Sequence, residues 1–295
     1  MQFCSVWKTL LIAASVVLLA ACDSAGFSLN RGDPNGAYQL FLEAQGGDDN
    51  AMRKLMQRVD KNDPWAALQV GYILQTGAGR YKANFPQAIE NYQRCQNKIA
   101  NCAFNLGLIY LNGQQVEPPV PDVLQAITYF QKAAGQQQNK HLQAAMQLGN
   151  IYEHGFGAVP QNFGLAIGWY MAASGLNDPV ADFRLGVIKM SGDDGQKDVA
   201  SARDYLLRAS NQYHYAAQYY LAKLMVEEFD DPKNAAQWLV VASVRSPVYK
   251  PYADEFLSRL SVRDKSTAMA SGKMWANSHR PPAPVDYNSP RNKDK

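Results

Sequence analysis

Between residues 64 and 247 apolar residues recur at three- and four-residue spacing, interrupted at regular intervals by short polar stretches that carry Gly or Pro. That spacing puts the apolar side chains of each stretch on one face of an α-helix. A Leu-Gly-like pair punctuates the pattern as Val70-Gly71, Leu106-Gly107, Leu148-Gly149, Leu185-Gly186 and Leu221-Ala222, with steps of 36, 42, 37 and 36 residues between second members. Ile or Leu follows two positions on, at Ile73, Ile109, Ile151, Ile188 and Leu224. Gly77, Gly113, Gly155 and Gly192 stand six positions after the pair, where a helix must stop, because Gly takes positive φ cheaply. A second helical stretch follows in each unit, with Ala88 and Tyr92, Ala126 and Phe130, Ala166 and Tyr170, Ala202 and Leu206, and Ala235 with Leu239. A period near 36–42 residues built from helix pairs predicts an all-α, α/α solenoid.

These letters resemble the Sel-1-like repeat, a relative of the tetratricopeptide repeat. The fullest match is the third unit, Ala144-Ala145, Leu148-Gly149, Tyr152, Gly155, Gly157, Ala166, Trp169-Tyr170, Ala172-Ala173 and Gly175. The resemblance implies about five units over 64–247. The fourth has Lys189 where Tyr is usual, and the fifth has Ala222 for Gly and Glu228 for the turn Gly, which suits a terminal unit. Residues 37–63 are expected to form a diverged helical cap. Residues 248–265 are expected to form a capping helix. Residues 266–295, with Arg280-Pro281-Pro282-Ala283-Pro284 and no apolar period, are expected to be a disordered Pro-rich tail.

The start of the chain has a different pattern. Lys8 precedes a run from Leu10 to Ala21 that is too short to span a hydrocarbon core of about 30 Å. Leu19-Ala20-Ala21-Cys22 resembles a lipobox, which implies a lipoprotein signal peptide over 1–21 and acylation of Cys22. Several acyl chains, at about 0.8 kcal/mol per buried CH₂, make a lasting anchor. An ordinary secretory signal cleaved near Ala21 is the alternative. Residues 22–36, rich in Ser, Gly, Asn, Asp and Pro, read as a tether. Asp23 after the lipidation site resembles the enteric signal for inner-membrane retention, which favours the inner over the outer membrane.

Export bears on the cysteines. Of four, Cys4 lies in the signal and Cys22 is the lipid site, leaving Cys95 and Cys102. An isolated pair in an exported chain suggests a disulfide. Cysteine-rich relatives of the same repeat family bridge this junction between units, and the alternative is two free buried thiols.

Composition adds little. Hydrophobic content of 47% excludes wholesale disorder, and a net charge of +3 with intermixed signs shows no basic stripe for nucleic acid. Outside the signal run no segment suits a membrane span. His141, His154, His214 and His279 are scattered, and no Cys, His and carboxylate set has zinc spacing. Gly77-Ala78-Gly79 and Gly155-Phe156-Gly157 read as turns, Asp48-Asp49 and Asp193-Asp194 as caps and turns. No catalytic constellation, metal or cofactor is expected. Tyr213, Tyr215, Tyr219 and Tyr220 cluster; Tyr220 is expected to be exposed and the others to be core.

Helical solenoids bind along the concave row of first helices. Positions −2, +1 and +5 relative to the Gly or Ala share one face. They give Gln69, Tyr72 and Thr76; Asn105, Leu108 and Asn112; Gln147, Asn150 and His154; Arg184, Val187 and Ser191; Tyr220, Lys223 and Glu227. This amide-rich stripe suits recognition of a protein surface, with a plain solvated face as the alternative. The resemblance implies a non-enzymatic, lipid-anchored scaffold on the periplasmic side of a bacterial membrane, serving secretion, polysaccharide export, motility or cell-wall remodelling. A peptidoglycan-binding module, or a regulator of cell-wall lytic enzymes, is the second reading.

Overall fold

The computed structural model describes residues 36–136 and 141–279. The signal run, Cys22, nearly all of the tether and residues 280–295 lie outside them. Fourteen α-helices are present among the described residues, with no strand. The pair α1 (Ala37–Gln45) and α2 (Asp49–Asp60) comes first. Five pairs follow: α3 (Pro64–Thr76) with α4 (Phe85–Cys95), α5 (Ala100–Leu111) with α6 (Val123–Ala134), α7 (Leu142–His154) with α8 (Phe163–Ser174), α9 (Pro179–Ser191) with α10 (Val199–Asn211), and α11 (Tyr215–Phe229) with α12 (Pro232–Arg245). After a 3₁₀ turn at Pro247–Tyr249 come α13 (Lys250–Ser258) and α14 (Val262–Ser278). Within the paired helices each packs on its partner, and the second helix of each pair packs on the first of the next, which is the contact pattern of an α solenoid.

The Leu-Gly signature has a direct steric origin. A Cβ added to Gly71, Gly107 or Gly149 would come within 2.7, 2.5 and 2.4 Å of the ring of Tyr92, Phe130 and Tyr170. Each ring is fully buried and packs close against the bare backbone of the first helix. In the fourth unit Leu206 takes the ring's place, 2.7 Å from a Cβ on Gly186. The Leu or Val of each pair is buried beside it, and such burial stabilises by about 1.5–3 kcal/mol per side chain.

Helix ends follow local chemistry. Asp63 and Asp178 accept the first free backbone N–H groups of α3 and α9, and Pro64 and Pro179 start those helices. Gly77, Gly113, Gly155 and Gly192 all have positive φ. The fifth unit lacks this Gly, so α11 runs on to Phe229 and ends at Asp230, a non-glycine residue with φ of 48°. Cys95 at the end of α4 and Cys102 in α5 are joined by a disulfide, with their Cα atoms 5.9 Å apart.

The expectation for the tail fails within the described residues. The stretch 266–278, read as the start of a structureless tail, belongs to α14. Its buried face is Ala268, Gly272 and Ala276, spaced i, i+4, i+8. Small residues leave no strong apolar period, yet they let α14 lie close on α12, where a Cβ on Gly272 would meet Val240 at 2.7 Å. Trp275 meets Trp238 edge-on at 5.2 Å, and Arg245 Nη2 donates to the Ala276 carbonyl.

Candidate functional site

The row of first helices α3, α5, α7, α9 and α11 carries the stripe named from the sequence. Its three positions are not equally open. The +5 residues Thr76, Asn112, His154, Ser191 and Glu227 are exposed. The +1 residues Tyr72, Leu108, Asn150, Val187 and Lys223 are half-buried. At −2, Gln147 and Tyr220 are half-buried, while Gln69, Asn105 and Arg184 are buried at 0, 1 and 7% exposure. These three are corrections to the expected open stripe. The −2 side chain turns into the seam with the preceding unit: Asn105 meets the Tyr92 hydroxyl and Arg184 meets Glu153. Neither side-chain amide atom of Gln69 has a hydrogen-bond partner among the described residues.

The seam between the third and fourth units holds the densest polar group. Tyr170 in α8 donates its hydroxyl to Glu153 Oε2 at 2.6 Å. Arg184 Nη1 stands 3.6 Å from Glu153 Oε1, with both side chains nearly buried. His154 Nε2 lies 4.0 Å from the same oxygen, and its Nδ1 donates to the Asn150 carbonyl. Burial first, and then the negative Glu153, push the Tyr170 hydroxyl well above the usual tyrosine range, so it stays a donor. Beyond Arg184 the surface becomes aromatic. Phe183 meets Tyr220 edge-on at 5.5 Å and stacks on His214 at 4.6 Å. Burial raises the Tyr220 pKa, opposed by Arg184.

Glu153 stands at +4, a position the stripe omitted. A signal for it exists in the chain. Gln75, the +4 residue of the first unit, accepts the Tyr92 hydroxyl at 2.7 Å, as Glu153 accepts that of Tyr170. Where the second helix offers Phe130 or Leu206, the +4 residue is Leu111 or Met190. Polar partner and hydroxyl occur together because a buried hydroxyl without a partner is costly. No group of three or more His, Cys, Asp or Glu is placed to hold a metal ion among the described residues. None of the described helices is long and apolar enough to cross a membrane.

The repeat frame is matched by a model of the Sel1 repeat at residues 66–94, 100–137, 142–178 and 179–214. The chain belongs to the Sel1 repeat family. The fifth helix pair repeats the architecture outside those matched segments. A protective antigen of uropathogenic Escherichia coli strains, displaying an SLR fold, superposes with a TM-score of 0.63 at 22% identity. That alignment covers 78% of this chain but only 49% of the antigen, so the chain matches about half its length. A Sel1 repeat protein from Oxalobacter formigenes superposes with a TM-score of 0.60 at 25% identity, covering 71% of this chain and 84% of the other. No curated protein sequence matches the chain. Sel1-repeat proteins generally mediate protein–protein interactions, and the family's scaffold is generally non-catalytic.

Proposed function

We propose that this Sel1-repeat chain is a non-enzymatic scaffold that binds envelope proteins along its row of first helices, held at the periplasmic face of a bacterial membrane by acylated Cys22. The observation that carries the reading is the first-helix row itself. A fixed frame of Gly, ring and buried Leu holds half-buried +1 and exposed +5 side chains that differ from unit to unit. Variable polar residues on a rigid, repeated backbone are suited to reading an extended protein surface. The lipobox at Leu19–Cys22 supports the anchor, and Asp23 supports the inner membrane.

The test is photo-crosslinking in living cells from Asn150 and Lys223, with Leu165 on a second helix as the control. One dominant protein captured from Asn150 or Lys223 and not from Leu165 supports the scaffold. Capture of glycan favours the peptidoglycan-binding reading, and capture equal to Leu165 refutes the use of this row. Fractionation of Cys22→Ser tests the anchor separately: the variant is expected in the soluble periplasm, and its persistence in the membrane pellet refutes acylation as the attachment.

A further inference from the structure

The Arg184 side chain is only 8% exposed, yet the fold makes little use of its guanidinium. Glu153 Oε1 stands 3.6 Å from Nη1. An arginine set only to neutralise a carboxylate closes to about 2.7–2.9 Å, often on two parallel N–H bonds. At 3.6 Å the pair is a Coulomb contact, and the N–H donors of Arg184 make no hydrogen bond among the described residues. Glu153 has its other oxygen taken by the Tyr170 hydroxyl. The unbonded side-chain atoms sealed from solvent include Asn150 Oδ1 but no nitrogen of Arg184, so the unused fork reaches the surface of the row.

Two more donors without acceptors stand beside it. Tyr220, expected to be exposed, is half-buried, as are Tyr213, Tyr215 and Tyr219, expected in the core. The Tyr220 hydroxyl makes no hydrogen bond among the described residues and is not sealed from solvent. His214 accepts the Ala217 N–H on Nδ1, so its proton is on Nε2, and that N–H has no acceptor among the described residues. The Phe183 ring gathers all three. His214 stacks on it at 4.6 Å, Tyr220 meets it edge-on at 5.5 Å, and Arg184 Cζ is 6.0 Å from its centroid. The Arg184 charge is felt by both His214 and Tyr220.

Donors that outnumber acceptors call for an acceptor from outside. Charge narrows the choice. Arg184 brings one positive charge and Glu153 one negative, while His214 and Tyr220 are neutral at pH 7. A phosphate, with nearly two charges, is repelled by Glu153, whereas a single carboxylate matches the planar fork on two parallel bonds. The faces of Phe183 and Tyr220 suit the methylene stem behind such a carboxylate. Position narrows its source. Arg184 is on α9, and the row continues past it through α7 on one side and α11 on the other. An occupant can therefore run through the pocket without ending there.

We propose that Arg184, with the Tyr220 hydroxyl and His214 Nε2, anchors the side-chain carboxylate of an Asp or Glu in an extended segment of a partner protein. The inference rests on the partner-binding reading and deepens it, by assigning one subsite of the row and the residue type that fills it.

The probe is a random dodecapeptide library joined through its C-terminus to a phage coat protein, so that no free α-carboxylate is offered. It is selected on the whole chain carrying Cys22→Ser, and the enriched peptides are made as C-terminal amides and measured by fluorescence anisotropy. We expect them to share an Asp or Glu whose exchange for Asn or Gln weakens binding about ten-fold or more. Arg184→Lys keeps the charge beside Glu153 but loses the fork, and there the same exchange is expected to cost less than about three-fold. Tyr220→Phe removes a hydroxyl that bonds nothing in the fold. It is expected to weaken the acidic peptides about three- to ten-fold with an unchanged melting temperature, which keeps the test decisive if Arg184→Lys unfolds. No selected binder, peptides with no acid in common, or an acid whose exchange costs the same on Arg184→Lys as on the parent would each overturn the proposal. Full rescue of the exchanged peptide by a free C-terminus would overturn the side-chain source in favour of a terminal carboxylate. Crosslinking in cells from Asn150 separates the two readings. Capture that survives both Arg184→Lys and Tyr220→Phe refutes the anchor and leaves the scaffold standing, whereas capture equal to that from Leu165 refutes the scaffold and the anchor with it.

Discussion

Acid should unfold this solenoid through two histidines that serve as helix caps. His141 and His214 precede α7 and α11, and their Nδ1 atoms accept the backbone N–H of Ala144 and Ala217 at 3.3 and 3.2 Å. Only a neutral imidazole with Nδ1 bare can do this. Each ring also stacks on a phenylalanine of the preceding first helix, His141 on Phe104 at 4.2 Å and His214 on Phe183 at 4.6 Å. Burial lowers the pKa of both rings to about 4, and the positive Arg184 adds to the effect at His214. The unfolded rings titrate near 6.5. Between those values the unfolded chain binds the extra proton, so stability is complete above about pH 7 and falls as the pH drops toward 4. At pH 5 the difference amounts to roughly 2 kcal/mol per ring, and somewhat less because both rings keep an edge in water. Two rings together remove about 3–4 kcal/mol, a large fraction of an ordinary domain's stability. Carboxylate titration lies mostly below this window, which isolates the histidines. The assay is urea unfolding followed by circular dichroism at pH 7.5 and pH 5, on the parent chain and on His141→Asn, His214→Asn and the double variant. Asparagine keeps a capping oxygen and does not titrate. Each single variant is expected to remove about half of the loss between the two pH values. An unchanged loss in the double variant would refute the argument.

Gly149→Ala puts a Cβ 2.4 Å from the Tyr170 ring and is expected to cost about 1–3 kcal/mol, whereas Gly168→Ala meets nothing within 4 Å and should stabilise by about 0.5–1 kcal/mol; thermal melts of the two order them. Gln75→Leu leaves the buried Tyr92 hydroxyl without its acceptor and should cost about 1–2 kcal/mol, much of it recovered by adding Tyr92→Phe, which copies the Leu111 and Phe130 pairing of the next unit. A double variant no more stable than the single would show that the two side chains are uncoupled. Replacing Cys95 and Cys102 together by Ala opens a loop of about eight residues and is expected to lower stability by about 2.5 kcal/mol in urea titration, and an unchanged midpoint would show that the bridge does not constrain the unfolded chain.

The repeat was legible because its signals are local. A Gly that must sit under a ring, a Leu beside it, and a Gly of positive φ six residues on are each dictated within one helix pair. Together they set the period, the all-α class and the five pairs. The C-terminal helix α14 was not legible, since Ala268, Gly272 and Ala276 acquire their meaning only against Val240 and Trp238 of α12. The same limit applies to the site. Helical spacing put Gln69, Asn105 and Arg184 on one face with Thr76 and His154. It could not say that the −2 residues meet the preceding unit, because that depends on how successive pairs stack. Glu153 acquires its role only beside Tyr170 and Arg184, which belong to later helices of the array. Chain-local sterics and turn chemistry determined the repeat, while exposure along its surface was decided by packing between units, which depends on side chains tens of residues apart.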